Sequence, residues 1–425
     1  MNGLIHSRSV LMDAPANYAG YAPLNEDRRF MGPVDATDAL NLSRNIPAID
    51  LAKALHPDLY DFLKAMDVPL KKSREDVGLS IVLGGAEVPM NKLAAAYATL
   101  LSQGVYSSLA WTDDAVRDVR PLFSPEAAAV TREMLKTGGT RVTVNGVSLP
   151  LAWKTGTSNG YRDAWTAGFA GPYVVAVWTG NFSGRASEKL RGADAALPLW
   201  KTIAMRTLTE PTLAVTPEEA AQNPVWDAMP AGVTKEDVCR RTGDLARDNF
   251  GRTRCEETRP AWFIPGKSPI KPSGYLKEIR VDAVTGLRSC PAFQGETTVK
   301  FVEVWPEQWA GLLKENGILY RPLPPLHPDC LKADDAASRP VTLVSPSPRR
   351  VWVADPVTKM ARVTLNARLP RDAGPRTLYW FAEGEWIAAT RSGESVEWVT
   401  TPGDKTLTVT DDEGNSASVR VTVKR

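Results

Sequence analysis

The segment Trp153-Lys-Thr-Gly-Thr-Ser158 combines three residue types that together can hold an anionic peptide. An apolar stretch precedes it and a Ser-Asn-Gly turn follows, so we expect it to end a β-strand. The Lys154 ammonium and the Thr155 hydroxyl can both bind an anionic group. Gly156 has no side chain, so an extended peptide can approach the strand and pair with its backbone. This segment therefore predicts a strand edge that faces a peptide-binding cleft.

A second candidate is Ser43-Arg44-Asn45, which has the pattern S-x-N. The pattern is short and common, so by itself it does not indicate a functional site. It becomes informative because it precedes Lys-Thr-Gly and is followed directly by Ile46-Pro47.

The two motifs, with Tyr161-Arg-Asp-Ala-Trp-Thr-Ala-Gly-Phe169 and Tyr173-Val-Val-Ala-Val-Trp-Thr-Gly-Asn181 after them, resemble the class A penicillin-binding proteins, and within them the 1C type. The resemblance covers essentially the whole chain. It implies a peptidoglycan D,D-transpeptidase in which a serine attacks the D-Ala-D-Ala amide of a stem peptide and β-lactams trap the same serine. Full-length relatives add a glycosyltransferase domain.

The resemblance also implies roles for single residues. Ser43 would relay protons, and Asn45 would orient the substrate and the catalytic lysine. Lys154 would be catalytic and would supply positive potential for an anionic substrate group, Thr155 and Gly156 would bind the substrate, and the Thr157 N–H would be one oxyanion donor.

The third family motif, S-x-x-K, carries the nucleophile and should precede S-x-N. The sequence contains it only at Ser268-Pro-Ile-Lys271, among prolines that disfavour the helix it requires. We therefore expect a carboxy-terminal fragment that is inactive alone. Two alternatives stay open, a non-catalytic scaffold that binds peptidoglycan or a partner, and one half of a split transpeptidase whose other chain carries S-x-x-K.

The helices and strands expected around these motifs indicate an α+β domain over residues 1–208. The resemblance implies that it is an incomplete penicillin-binding transpeptidase domain. Helices are expected at 36–55 with a break at Pro47, at 58–66, 89–101, 124–135 and 197–208, and strands at 149–157, 163–170 and 173–179.

Residues 209–338 form a Pro-rich connecting region, for which we expect irregular structure with a few short strands. It contains all four cysteines of the chain. Short sequential loops favour the pairs Cys239–Cys255 and Cys290–Cys330, although sequence alone permits three pairings and also four reduced thiols. Disulfides suit an oxidising compartment, and the family resemblance implies the periplasm.

Residues 340–425 predict an all-β, Ig-like sandwich. Short alternating strands are expected at 341–344, 361–365, 377–381, 394–398, 405–409 and 416–423, and the turn Asp411–Gly414 joins the last two as a hairpin.

The overall composition excludes several classes of function. The net charge is +2 and the basic residues are scattered, so nucleic acid is not an expected partner. The longest apolar runs are too short for a membrane span, and residues 1–10 do not resemble a signal peptide. The histidines are dispersed and no C-x-x-C pair occurs, so we expect no metal and no cofactor.

Overall fold

The structure, a computed structural model, describes residues 2–424 except 19, 270–272, 291–292, 307–308, 319–322, 331–340, 348–349, 357, 370–375, 384 and 412–415. The chain divides into two compact units, Met1–Leu276 and Lys277–Arg425. This division falls inside the Pro-rich region 209–338, and the three-part division expected from the sequence stays a prediction. The α+β class of the first part and the all-β class of the last part are confirmed.

The first unit mixes helices with small antiparallel sheets. Its strands are β1 Val10–Asp13, β2 Gly32–Asp35, β3 Val105–Ser107, β4 Val119–Pro121, β5 Thr140–Val144, β6 Val147–Thr157, β7 Asp163–Ala170, β8 Tyr173–Gly180, β9 Thr234–Cys239 and β10 Thr258–Phe263. Its helices are α1 Ala36–Asn41, α2 Asn45–Lys53, α3 Leu59–Lys64, α4 Arg74–Val77, α5 Met90–Leu101, α6 Pro125–Thr137, α7 Leu197–Thr209 and α8 Pro217–Gln222. A 3₁₀ helix spans Gly78–Leu83 and a π-helix spans Gly192–Ala196.

The helical segment after residue 36 is interrupted three residues earlier than expected. The interruption lies at residues 42–44 and not at Pro47, because Pro47 occupies the first turn of α2. A backbone N–H in the first turn has no partner within the helix, so proline costs nothing there. The S-x-N segment is consequently the turn between α1 and α2.

Strands β5-β6-β7-β8 form the central sheet in that order, and all neighbours are antiparallel. Strand β5 was not expected, although the Asn145-Gly146 turn that joins it to β6 is a sequence signal for a hairpin; both residues have positive φ, 50° and 80°, as a two-residue hairpin turn requires. Helix α7 packs on β7 and β8. The core between them contains fully buried side chains, among them Leu149, Phe169, Trp200 and Leu208.

Strand β11 Leu276–Asp282 begins at the last residue of the first unit and continues into the second. The second unit further contains β12 Thr297–Glu303, α9 Ala310–Glu315, β13 Thr342–Ser345, β14 Val351–Val353, β15 Ala361–Arg368, β16 Thr377–Ala382, β17 Glu385–Arg391, β18 Ser395–Thr400, β19 Gly403–Asp411 and β20 Ser416–Lys424. Two sheets, β13-β15-β18 and β14-β20-β19-β16-β17, enclose one apolar core. The arrangement is a β-sandwich.

The six strands expected in this sandwich are present, and two further strands, β14 and β17, were not indicated by the sequence. Strand β17 contains Glu385, Trp386 and the pair Ala388-Ala389, so it lacks a regular alternation of apolar and polar residues. Strands β19 and β20 pair as antiparallel neighbours, while the tip of the expected Asp411–Gly414 hairpin lies outside the described residues from 412 onward.

Each unit contains one disulfide. Cys239 is bonded to Cys255 in the first unit, and Cys290 is bonded to Cys330 in the second. This is the pairing that short sequential loops favour.

Candidate active site

The S-x-N segment is a tight turn whose backbone is fixed at both ends. Ser43 has a φ of 54°, in the left-handed region that a non-glycine residue enters at a cost of about 1–2 kcal/mol. The Arg44 N–H donates to the Ala39 carbonyl at 2.9 Å, which closes the turn at the end of α1. Ser43 is exposed, so the turn presents its hydroxyl at the surface.

A buried polar network holds the other end of this turn. The Asn25 side-chain oxygen accepts from the Asn45 N–H at 2.8 Å, and its nitrogen donates to the Asp13 carboxylate and to the Arg29 carbonyl, both at 2.8 Å. Asn25 is 3% exposed and Asp13 is fully buried. The Asn45 amide in turn donates to the Leu24 carbonyl at 2.6 Å. The segment before α1 therefore fixes both the backbone and the side chain of Asn45.

Lys154 brings the two motifs together. It lies on β6, and its ammonium donates to the Ser43 hydroxyl oxygen and, at 2.9 Å, to the Thr155 carbonyl. Burial lowers the pKa of Lys154 to about 8, and the nearby Glu26 carboxylate partly opposes that shift. A lysine with such a pKa can exchange its proton close to neutral pH.

The Lys-Thr-Gly segment is an open strand edge although β6 lies inside the sheet. Strand β5 ends opposite Leu151, whereas β7 continues alongside β6 as far as Thr157. Among the strands that the structure describes, the segment 154–157 thus has β7 as its one neighbour. Its other edge is available for an added peptide strand.

Gly156 is not required by internal packing. A Cβ added there would meet only the Cβ of Trp165, at 3.6 Å, which is an ordinary contact. Packing of the chain itself therefore does not explain the glycine.

The π-helix that contains Gly192 supports the end of this strand. The Gly192 N–H donates to the Thr157 hydroxyl at 3.1 Å, and a Cβ on Gly192 would lie 2.6 Å from the Gly156 carbonyl oxygen. Only glycine fits there. No motif indicated this contact, because a π-helix leaves no periodic signal in a sequence.

Two charged side chains at this site were also not anticipated. The Arg191 guanidinium lies 3.8 Å from the Glu26 carboxylate and 5.4 Å above the Tyr161 ring. The Glu26 carboxylate raises the pKa of Lys154 against the larger effect of burial. Arg191, which is paired with Glu26, is a second charge close to the Lys154 ammonium. Glu26, Lys154 and Arg191 come from different parts of the chain, and no local motif contains all three.

The site residues expected from the sequence fall into two groups, the motif residues, which lie together in the first unit, and the four cysteines, which do not belong to this site. Ser43 and Lys154 are in contact, Asn45 is fixed beside Ser43, and the three residues 155–157 continue from Lys154 along one strand. The cysteines are used in disulfides. A cleft of about 490 Å³ in the first unit, lined by residues such as Leu55, His56 and Tyr60, includes none of the motif residues.

Within the described residues, no cluster of histidine, cysteine and carboxylate side chains could hold a metal ion. Over the same residues, the helices are all too short or too polar to cross a bilayer.

Residues 330–421 match the model of the Penicillin-Binding Protein C-terminus Family. Over 98% of its length the chain is 30% identical to penicillin-binding protein 1C of Escherichia coli (strain K12) and spans 53% of that relative. Penicillin-binding protein 1A/1B of Bacillus subtilis (strain 168) is also 30% identical, over 43% of this chain and 23% of the relative. The crystal structure of penicillin-binding protein 1A from Haemophilus influenzae is similar with a TM-score of 0.49 and 20% identity, over 64% of this chain and 46% of that one. The chain therefore spans about half the length of the first of these relatives, and less of the other two.

Proposed function

The chain belongs to the class A penicillin-binding proteins, and on that basis we propose that its first unit supplies the substrate-binding wall of a peptidoglycan D,D-transpeptidase site. The observation that carries the proposal is the contact between the Lys154 ammonium and the Ser43 hydroxyl beside an open strand edge.

In this proposal a stem peptide ending in D-Ala-D-Ala lies along residues 154–157 as an added strand. Lys154 and Thr155 bind its terminal carboxylate, since an ammonium and a hydroxyl are suited to an anion. Gly156 leaves room for the peptide backbone, and the Thr157 N–H stabilises the oxyanion. β-Lactams, which carry a comparable carboxylate, occupy the same edge.

Ser43 relays protons in the proposed reaction. Its hydroxyl accepts a hydrogen bond from Lys154, and that lysine has a pKa of about 8. A hydroxyl beside such an ammonium can pass a proton to the leaving amine, because the lysine gains and loses its own proton near neutral pH. Asn45, fixed by Asn25 and Leu24, orients the substrate and the lysine.

We also propose that the acylated serine is not among these 425 residues. The one S-x-x-K of the sequence begins at Ser268, in a turn after β10, where the Ser268 hydroxyl accepts from the Ile264 N–H at 2.9 Å. That hydroxyl is used in a turn and not presented at a helix start; Lys271 lies outside the described residues. The serine and its lysine then come from a segment outside this sequence, whether of the same protein or of a second chain.

Binding of diacetyl-L-lysyl-D-alanyl-D-alanine to the full chain tests the substrate-binding wall. Lys154→Ala should abolish binding measured by calorimetry. Lys201→Ala is the matched control, because the Lys201 ammonium lies 4.7 Å above Trp153, which precedes the motif, and does not belong to the site. Equal binding by Lys154→Ala and the unchanged chain would overturn the proposal.

A fluorescent penicillin tests the absence of the nucleophile separately. We expect no stable covalent label on the isolated chain, and labelling when a polypeptide with the S-x-x-K helix is supplied. Stable labelling of the chain alone would refute this part and leave the substrate-binding wall untouched.

We propose a periplasmic location, supported by the two disulfides. Thiol alkylation of cell extracts under non-reducing conditions should find no reactive cysteine in this protein. Full alkylation before reduction would contradict the location.

A further inference from the structure

The five-stranded sheet of the β-sandwich has an outward face of unusual composition. Its inward side chains, such as Trp380, Leu407 and Val409, are fully buried in the core. Because side chains alternate along a strand, the residues between them point away from the core.

Two neighbouring rows cross this outward face. In one row Thr410 lies opposite Tyr379, and in the next Ser418, Thr408, Phe381 and Trp386 lie opposite one another in turn across four strands. Both rows run from hydroxyl side chains on β20 and β19 to an aromatic side chain on β16, and they end on β17 with Ala389 in the first row and Trp386 in the second.

The aromatic end is open to solvent. Trp386 is 61% exposed and Tyr379 is 37% exposed, while Phe381 between them is 7% exposed although it points outward. Residues on adjacent strands are about 5 Å apart when opposite and about 7–8 Å apart when diagonal, so the exposed rings are close enough to contact one ligand. The three aromatic side chains thus lie next to one another on β16 and β17, with Phe381 the most buried of them.

The hydroxyl end is polar but neutral. The Thr408 and Ser418 hydroxyls are 2.9 Å apart and share a hydrogen bond. None of the residues named in the two rows is charged, and the Arg420 and Asp404 side chains beside them are paired with each other at 3.0 Å. The two rows are therefore neutral and complement a neutral ligand, and the exposed Arg391 lies on the same face opposite Thr377.

We propose that this face binds the sugar backbone of a polysaccharide. A pyranose ring has one face of C–H groups, which packs on the negatively polarised face of an aromatic ring, and a rim of hydroxyls, which exchange hydrogen bonds with threonine and serine. A protein interface would also be enriched in aromatic side chains, but it would be depleted in serine, which this face contains beside them. This binding site is separate from the proposed transpeptidase wall and does not depend on it.

Retention of the full chain on insoluble chitin, a neutral polymer of N-acetylglucosamine without peptide, tests the proposal. We expect binding that soluble chitohexaose competes and that added salt does not weaken, since no charge is involved. Trp386→Ala and Tyr379→Ala should each lower the affinity at least tenfold. Trp386→Phe, which keeps a ring, should retain most of it.

The matched control is Trp111→Ala, which removes a tryptophan that is 81% exposed in the first unit. It should leave chitin binding unchanged. Circular dichroism should show that the Trp386 variants keep their fold, as expected for an exposed side chain, and Thr408→Val tests the hydroxyl end without touching a ring.

Three outcomes would overturn the proposal. They are no retention on chitin, equal losses in Trp386→Ala and Trp111→Ala, and a concentration-dependent self-association that Trp386→Ala abolishes without any binding to chitin. The last outcome would make the face a protein–protein contact.

Discussion

The charge on Lys154 should control peptide binding between pH 7 and pH 9. Its pKa of about 8 means that about 90% of the chains carry the ammonium at pH 7 and about 10% at pH 9. If only the charged form binds the terminal carboxylate, the affinity for diacetyl-L-lysyl-D-alanyl-D-alanine falls about tenfold over this interval, or about 1.4 kcal/mol. The peptide carboxylate stays ionised throughout, so the change comes from the protein.

The direction follows from burial. Burial lowers the pKa of Lys154 from its usual 10.5. The ammonium therefore loses its proton between pH 7 and pH 9, and an unburied lysine would lose it only above pH 9. A lysine with an ordinary pKa would show no change before pH 9. Calorimetric titrations at half-unit steps of pH measure the profile, and Lys154→Arg, which stays charged, should flatten it if it binds at all.

A constant affinity from pH 7 to pH 9 would refute the reasoning, because it would mean either that Lys154 is not buried as described or that its charge does not hold the carboxylate. The same peptide with a carboxy-terminal amide is the ligand control. It should bind weakly and without this pH dependence.

Three further substitutions test the structural arguments. Asn25→Ala should lower the free energy of unfolding of the first unit by about 3 kcal/mol in urea denaturation, because one hydrogen bond to the buried Asp13 carboxylate and two neutral ones are lost. Gly192→Ala should cost about 1–3 kcal/mol in the same measurement and weaken peptide binding, since its Cβ would press on the Gly156 carbonyl at 2.6 Å. Leu365→Ala should cost about 2–5 kcal/mol in thermal unfolding, because it leaves a cavity in the sandwich core.

Each of these substitutions has a control of the same type. Asn91→Ala alters an exposed asparagine, Gly311→Ala adds a methyl group where no atom lies within 4 Å, and Val399→Ala shortens a side chain that is 50% exposed. Asn91→Ala and Val399→Ala should change stability by less than about 0.5 kcal/mol. Gly311→Ala should not destabilise, because Gly311 lies in α9 and alanine is favoured over glycine in a helix by up to about 1 kcal/mol. A control that destabilises as much as its partner would contradict the packing argument concerned.

Local patterns predicted the strand that carries Lys-Thr-Gly and the helix that begins after Ser124. The apolar run before Lys154 and the turn after Ser158 bound a strand, and Ser124 caps α6 through the Ala127 N–H at 3.3 Å. Such signals lie within a few residues of the element they define. They are therefore readable without knowledge of the tertiary fold.

Other features could not be predicted because they depend on distant residues. The Asn25 contact with Asn45 joins residues 20 apart, and its bond to Asp13 is made in the interior. Strand β17 lacks a clear alternation of apolar and polar residues, and its pairing with β16 shifts register between Trp380 and Phe381. In both cases the tertiary fold, and not local propensity, decides the structure.

The contact between Ser43 and Lys154 spans 111 residues, so its geometry is set by the elements between them. Helix α6 links them. The Asn41 side chain, at the end of α1, donates to the Met134 carbonyl of α6 at 2.9 Å. Just beyond α6, a Cβ on Gly138 would lie 2.4 Å from the Asn41 oxygen, and a Cβ on Gly139 would lie 2.1 Å from the Leu151 carbonyl of β6.

These two glycines let the end of α6 approach the S-x-N turn on one side and the Lys-Thr-Gly strand on the other. A side chain at Gly139 would press on the β6 backbone at Leu151, and one at Gly138 would displace the Asn41 side chain that joins α1 to α6. A shift of about 1 Å is enough to break a hydrogen bond between two side chains. The distance between the two motifs therefore depends in part on Gly138 and Gly139, which belong to neither of them.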